Sequence, residues 1–148
     1  MKKILVTRRL LRSCEDRAKD MFDAHLNLYE DLYSQKKLIE MSQGCDGILS
    51  ALTDKLDADT INQLPDSIKI LSNFAVGFGN IDLEAAKNRG IAVTNTPDVL
   101  TDATAEIGVL LILGACRRAS EGIEQARQGG WVWSCLLYTS PSPRDWMV

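Results

Sequence analysis

The chain has 148 residues, 45% of them hydrophobic and 25% charged, with a net charge of −3 at pH 7. These proportions exclude wholesale disorder, collagen and coiled coil, and the acidic balance gives no electrostatic footprint for nucleic acid or an anionic membrane. The longest apolar run, Ile107 to Cys116, falls short of the ~20 residues that cross a bilayer, and Arg8-Arg9 follows Ile4-Leu5-Val6 too soon for a signal-peptide core, so the cytoplasm is the expected compartment.

In chain order, Lys3-Ile4-Leu5-Val6-Thr7 reads as a buried strand. Cys14 to Phe22 carries Ala18, Met21 and Phe22 at helical spacing. His25 to Tyr29 alternates like a second strand, and Ser34 can cap a helix running to Met41. Gly47-Ile48-Leu49-Ser50 is a third strand. Ala58 to Leu64 is a weak helix ended by Pro65, and Ile68 to Phe74 is a fourth strand. Asp82 caps Leu83 to Lys87, Gly90 stops that helix, and Ile91 to Thr94 is a fifth strand. Strands alternating with helices over short links predict an α/β fold, a parallel sheet with helices on both faces. The apolar runs predict strands buried on both faces.

After Pro97 the texture changes. Thr101, Asp102 and Glu106 supply N-terminal helix chemistry to a long helix that is apolar almost all round and ends near Arg117-Arg118. Such a helix needs a second domain or a second subunit to cover it. Three segments follow: 1–100, 101–133 as one helical segment, and a tail, 134–148, without period. Cys135 to Asp145 resembles the conceptual translation of a transposase adapter from sequencing libraries. The expectation is that 134–148 is non-native and that the natural chain continues past Trp133.

The cysteines, Cys14, Cys45, Cys116 and Cys135, form no C-x-x-C pair, and His25 is the only histidine. A metal site or disulfide framework needs clustered ligands, so mostly buried free thiols, no metal site and a surface or structural His25 are expected.

Two stretches can carry chemistry. Asn73 to Asp82, at the carboxyl end of the fourth strand, includes Gly77 and Gly79, which let the backbone approach a ligand and offer N–H groups to an anion. A plain turn needing glycine for its angles reads equally well. Gly77-x-Gly79 is no pyrophosphate loop, because position 82 is Asp rather than Gly. The second stretch, Val93 to Glu106, runs strand, turn and helix start, where free N–H groups meet polar ligands or where a capping cluster simply sits.

The run NFAVGFGNIDLEAAKNRGIAVTNTPDVLTDATAE, followed by Arg117-Arg118 and Arg127-Gln128-Gly129-Gly130-Trp131, resembles the D-isomer-specific 2-hydroxyacid dehydrogenases of glyoxylate and hydroxypyruvate reductase type. The resemblance implies a flavodoxin-like five-stranded substrate lobe, a long interdomain helix and a second, Rossmann lobe for NAD or NADP. The resemblance places that lobe after Trp131, so it is expected to lie outside this chain. It implies that Val76 and Gly77 contact the carboxylate of a small 2-keto or 2-hydroxy acid through backbone N–H groups. Leu52 walls the substrate pocket, and Leu100 and Thr104 face the nicotinamide. The intact protein is expected to be a homodimer. Gly79 departs from the family, where Asp is common. The family's catalytic arginine, glutamate and histidine lie after Trp131, so the chain itself should be catalytically inert. A stand-alone ligand-binding or phosphoacceptor module is the first alternative, weakened because Asp46 precedes the third strand. A dimerisation fragment is the second.

Overall fold

A computed structural model of the chain describes residues 1–129, so the expected tail at 134–148, with Cys135 and its junction at Trp133, lies outside the described residues. The chain divides into two compact units, Met1–Val99 and Leu100 onward.

The first unit holds β1 (Lys3–Val6), α1 (Arg12–Met21), β2 (Asp23–Leu26), α2 (Gln35–Met41), β3 (Gly47–Ala51), α3 (Ala58–Gln63), β4 (Ile70–Phe74), α4 (Leu83–Asn88) and β5 (Ala92–Thr94). The strands form one parallel sheet in the order β2-β1-β3-β4-β5, the flavodoxin-like order. The chain leaves β1 in one direction and returns past it to β3. Right-handed crossovers therefore put α1 on one face and α2, α3 and α4 on the other.

The core lies under α2, α3 and α4. Leu5, Ile48 and Leu71 are register partners across β1, β3 and β4, and each is 0–1% exposed. Leu38, Ile61, Ala85 and Ala86 press on them from the three helices. The opposite face is only partly covered. Ile70 and Phe74 of β4 are exposed, as are Ala92 and Thr94 of β5. Burial on both faces, expected from the apolar runs, therefore fails for β4 and β5, because α1 reaches only the β2 side.

The helix ends follow local chemistry. Ser34, Asp57 and Asp82 cap α2, α3 and α4, accepting from the N–H groups of Lys37, Thr60 and Ala85. Gly90 takes the left-handed backbone, φ +67°, that closes α4. Arg89 holds the C-terminal end of α3, donating to the carbonyls of Ile61 and Leu64 and pairing with Asp66. Asp46 accepts from Lys2 Nζ and from the backbone N–H of Lys3, which hold its carboxyl below the usual range and pin the N-terminus. That use, before β3, is structural.

Three other expectations are corrected. β2 starts and ends earlier than predicted, because pairing with β1 selects Asp23–Leu26 and leaves Tyr29 exposed. β4 begins at Ile70, where its pairing with β3 begins, rather than at Ile68. Of the described cysteines only Cys45 is buried; Cys14 and Cys116 are exposed.

The second unit holds α5 (Thr101–Cys116) and α6 (Ala119–Gln128). α5 ends where the sequence placed the end of the long helix, near Arg117-Arg118, and Arg118, whose left-handed backbone (φ 51°) starts α6, divides the expected 101–133 segment into two helices within the described residues. Leu100 is the N-cap of α5, and Asp102 lies in its first turn, where an acid complements the helix dipole as expected. Ile107 and the run Val109 to Leu113 are all exposed on α5.

Ile48→Ala should cost about 2–5 kcal/mol, read from the urea midpoint, because it empties the centre of the Leu5–Ile48–Leu71 row. Asp57 supplies a pH test. Hydrogen bonds from the Thr60 side chain, the Thr60 N–H and Lys55 hold its carboxyl well below the usual range. A depressed folded value stabilises fully above the unfolded one and is lost as pH falls through the folded one. Asp57→Ala should therefore lower the urea midpoint at neutral pH and lower it much less in strong acid. An equal loss at both would contradict the ionised cap.

Candidate functional site

The switch point of this sheet lies between β1 and β3, and ligands of open α/β folds bind at the carboxyl ends of strands near such a point. Two segments of the first unit emerge there or beside it. One is the loop after β3, Ala51 to Asp54, with Leu52 61% exposed at its tip. The other is the turn after β4, Ala75 to Asn80.

The turn is ordered by its carbonyls. The Thr96 N–H donates to Ala75 O (2.9 Å), and Asn95 Nδ2 donates to Val76 O (2.7 Å). Asn73 Nδ2 donates to Gly77 O (2.9 Å), and the Ile81 N–H donates to Phe78 O (3.0 Å). In a trans peptide the following N–H points opposite to the carbonyl. Each tied carbonyl therefore turns the next N–H away from its partner. The N–H groups of Val76, Gly77, Phe78 and Gly79 donate to no acceptor among the described residues. Successive free N–H groups at a sheet edge form a concavity that suits an anion.

The glycines in this turn are not there for their angles. Neither Gly77 nor Gly79 has a left-handed backbone, and a Cβ on either would meet nothing within 4 Å. The turn-angle reading is thereby set aside, and open space beside the free N–H groups remains.

The loop after β3 is held by buried polar groups that sequence patterns did not single out. Asp54 is 1% exposed; its Oδ2 accepts from the Ala51 N–H (2.8 Å) and from the Thr7 hydroxyl at the end of β1. Its other oxygen, Oδ1, is buried with no partner among the described residues. Asn80 Nδ2 donates to Ala51 O and to Asp54 O, both at 3.1 Å. Asn73, 1% exposed, accepts from Ser50 Oγ at 3.1 Å. The available signal was a polar residue, Ser50 or Asn73, inside an otherwise apolar strand.

Leu52, Val76 and Gly77 thus lie on one edge of the first unit. Leu100 and Thr104 belong to the second unit, both exposed and one turn apart at the start of α5, with the Thr104 N–H donating to Leu100 O. His25 lies on edge strand β2, exposed, lining a cleft of ≈ 230 Å³ with Tyr33 and Lys37. A second cleft, of ≈ 330 Å³, opens beside Gly79 and Asn80. Lys55 there pairs with Asp57 at 3.0 Å, and Asp82 occupies the Ala85 N–H at the start of α4. A pyrophosphate does not fit that helix start, where a carboxylate already sits.

Among the described residues no helix is long and apolar enough to cross a membrane. Residues 4–140 match the family model of the D-isomer specific 2-hydroxyacid dehydrogenase catalytic domain. The chain is 38% identical over 130 residues to a glycerate dehydrogenase of Hyphomicrobium methylovorum, covering 88% of this chain and 40% of that relative. It is 37% identical over 129 residues to a glyoxylate reductase of Korarchaeum cryptofilum (strain OPF8), covering 87% of this chain and 39% of the relative. The solved structure of an NADPH-dependent glyoxylate/hydroxypyruvate reductase from Sinorhizobium meliloti superposes with a TM-score of 0.73 at 30% identity. That match covers 95% of this chain and 43% of the other. The chain thus spans about 40% of the length of the curated relatives it matches. Sheet order, the edge formed after β3 and β4, and these matches together place the chain in the D-isomer specific 2-hydroxyacid dehydrogenase family.

Proposed function

We propose that this chain is the substrate-binding part of a cytoplasmic, NAD(P)-dependent oxidoreductase. The reaction interconverts a small 2-keto acid, of the glyoxylate or hydroxypyruvate type, and its D-2-hydroxy acid. The observation that supports this most is the turn after β4, where the carbonyls of Ala75 to Phe78 are tied and the N–H groups of Val76 to Gly79 are free beside open space. A carboxylate accepts from adjacent N–H groups as charge-assisted bonds, stronger than neutral ones. Val76 and Gly77 would hold the carboxylate, and Leu52 would wall the rest of the acid.

In this reading residues 1–100 are the substrate lobe, 101–133 an interdomain and dimerisation segment, and 134–148 a non-native tail. Leu100 and Thr104 would meet the nicotinamide end of NAD or NADP. The cofactor supplies or accepts the hydride when bound; the residues of this chain bind and orient the acid. The proton-transferring pair and the guanidinium that grips the carboxylate lie outside it, so the chain alone is inert.

The test is an amide-resolved NMR titration of the 148-residue chain with glyoxylate and D-glycerate at about 10–50 mM, a range suited to millimolar affinity. The amides of Val76 to Gly79 should shift, and chloride at equal ionic strength should not reproduce the effect. Absence of such shifts, or an equal response to chloride, overturns the assignment. NADH with glyoxylate should show no oxidation above the blank, and sustained turnover would refute the inertness.

A second role is favoured by α5, whose exposed apolar residues run all round it. A second copy of the chain would cover it in a homodimer. Light scattering should find the 148-residue chain associated and a chain ending at Val99 monomeric; two monomers would exclude this role.

A further inference from the structure

We propose that Asn80 is a positioning residue that locks the Leu52 loop to the Val76–Gly79 turn, so that the wall and the carboxylate cradle form one site. The inference rests on the carboxylate reading above. Asn80 engages both ends of its primary amide. Its Nδ2 bridges the carbonyls of Ala51 and Asp54, the two ends of the Leu52 loop. Its Oδ1 accepts from Asn73 Nδ2 at 3.0 Å. That same nitrogen of Asn73 donates to Gly77 O. A chain of side-chain amides therefore runs from both ends of the loop, through Asn80 and Asn73, to the middle of the turn.

The β3–β4 ladder holds the two segments at their base, where Ala51 lies opposite Phe74, and the Leu56–Ile81 bridge holds them beyond; between these, among the described residues, the side-chain bonds that join loop to turn run through Asn80 and Asn73. Asp54 closes its own loop onto Ala51 and onto Thr7 of β1, which sets the loop against the sheet but not against the turn. The backbone of Asn80 adds one bond, accepting from the Leu56 N–H at 2.9 Å, beyond the loop. Asn73 is anchored from below by Ser50 of the neighbouring strand. Only an amide fits the position of Asn80. A carboxylate would face two carbonyls with no proton to donate, and an ammonium could not accept from Asn73. Partly buried networks of this kind cost most when one member is left unsatisfied.

The carboxylate touches the turn, whereas only a longer acid reaches the Leu52 loop. Loosening the joint should therefore alter selectivity by chain length rather than carboxylate binding itself. In the 148-residue chain, Asn80→Ala should leave acetate binding, read from the Val76 to Gly79 amide shifts, within about twofold, while hydroxypyruvate binding weakens about fivefold. Amide hydrogen exchange should rise about tenfold at the hydrogen-bonded amides of the two segments, Asp54 in the loop and Ile81 and Thr96, whose N–H groups donate to the turn carbonyls of Phe78 and Ala75, and stay near its original value at Leu5, Ile48 and Leu71. Asn80→Asp should behave like the alanine variant at neutral pH and recover as acid protonates the carboxyl, which then offers one O–H donor and one carbonyl acceptor.

Equal weakening of both acids, or exchange rising uniformly through the core, would reduce Asn80 to a general stabiliser and overturn the proposal. Unchanged exchange in the two segments would do the same. If Asn80→Ala fails to fold, Ser50→Ala removes only the bond beneath Asn73. Faster exchange confined to the two segments then supports the joint, and a uniform rise overturns it. Should the unmutated chain bind neither acid, the carboxylate reading falls, while the exchange pattern still decides whether the joint exists.

Discussion

The structure depends most on where the carbonyl groups of one short turn find their donors. A parallel sheet ends at its carboxyl edge in chain reversals that leave the ladder, and every backbone group there must be satisfied anew. After β4 the donors are the Thr96 and Ile81 N–H groups and the side chains of Asn95 and Asn73. All are acceptor-seeking, so they consume carbonyls and spare N–H groups. The result is a backbone surface with an excess of donors, positive in character without a charged side chain. Had the same turn been tied through its N–H groups, its free carbonyls would repel an acid.

That polarity is inherited from the core. Asn73 is buried inside β4 because its side chain is held by Ser50 below and reaches Gly77 and Asn80 above. The Leu5–Ile48–Leu71 row fixes the strands, and the strands fix where Asn73 can reach. Packing and site are therefore linked through one buried amide. Volume changes in the row under α2, α3 and α4 act on the turn through strand position, not through contact with it.

Much of the first unit was legible in the sequence because its signals are local. Asp82 and Ser34 cap helices, Gly90 closes one, and the short apolar runs become β1 and β3, since these choices depend on a few neighbouring residues. Strand order was carried by the family resemblance and not by any pattern, as crossovers are a property of the whole chain. The Asn73–Asn80 joint stayed hidden for the same reason: Asn80 lies 26 residues from Asp54 and 29 from Ala51 in sequence and meets them only when β3 and β4 pair. The boundary of β2 was misplaced because alternation at His25 to Tyr29 is a one-strand signal, whereas pairing with β1 decides the register. The exposed side of β4 and β5 was misread because an apolar residue such as Phe74 looks the same whether or not a helix covers it. The end of α5 near Arg117-Arg118 was legible, whereas the second helix that follows it was not, because it starts on a left-handed arginine that no propensity favours.

Magnitudes decide what the first unit can do on its own. Each N–H bond to a carboxylate nets roughly 1.5–3 kcal/mol, so two such bonds barely reach the ~4 kcal/mol of a millimolar complex before the cost of immobilising the acid. Lys55, the basic residue in the neighbouring cleft, is already paired with Asp57. On the proposed reading the turn would set direction more than affinity: it would fix where a carboxylate points, and the loop tied to it by Asn80 would fix which acids lie behind it. A weak, oriented grip would suit a site whose occupant leaves after each turnover. Strong ground-state binding would raise the barrier for any chemistry performed on the held acid.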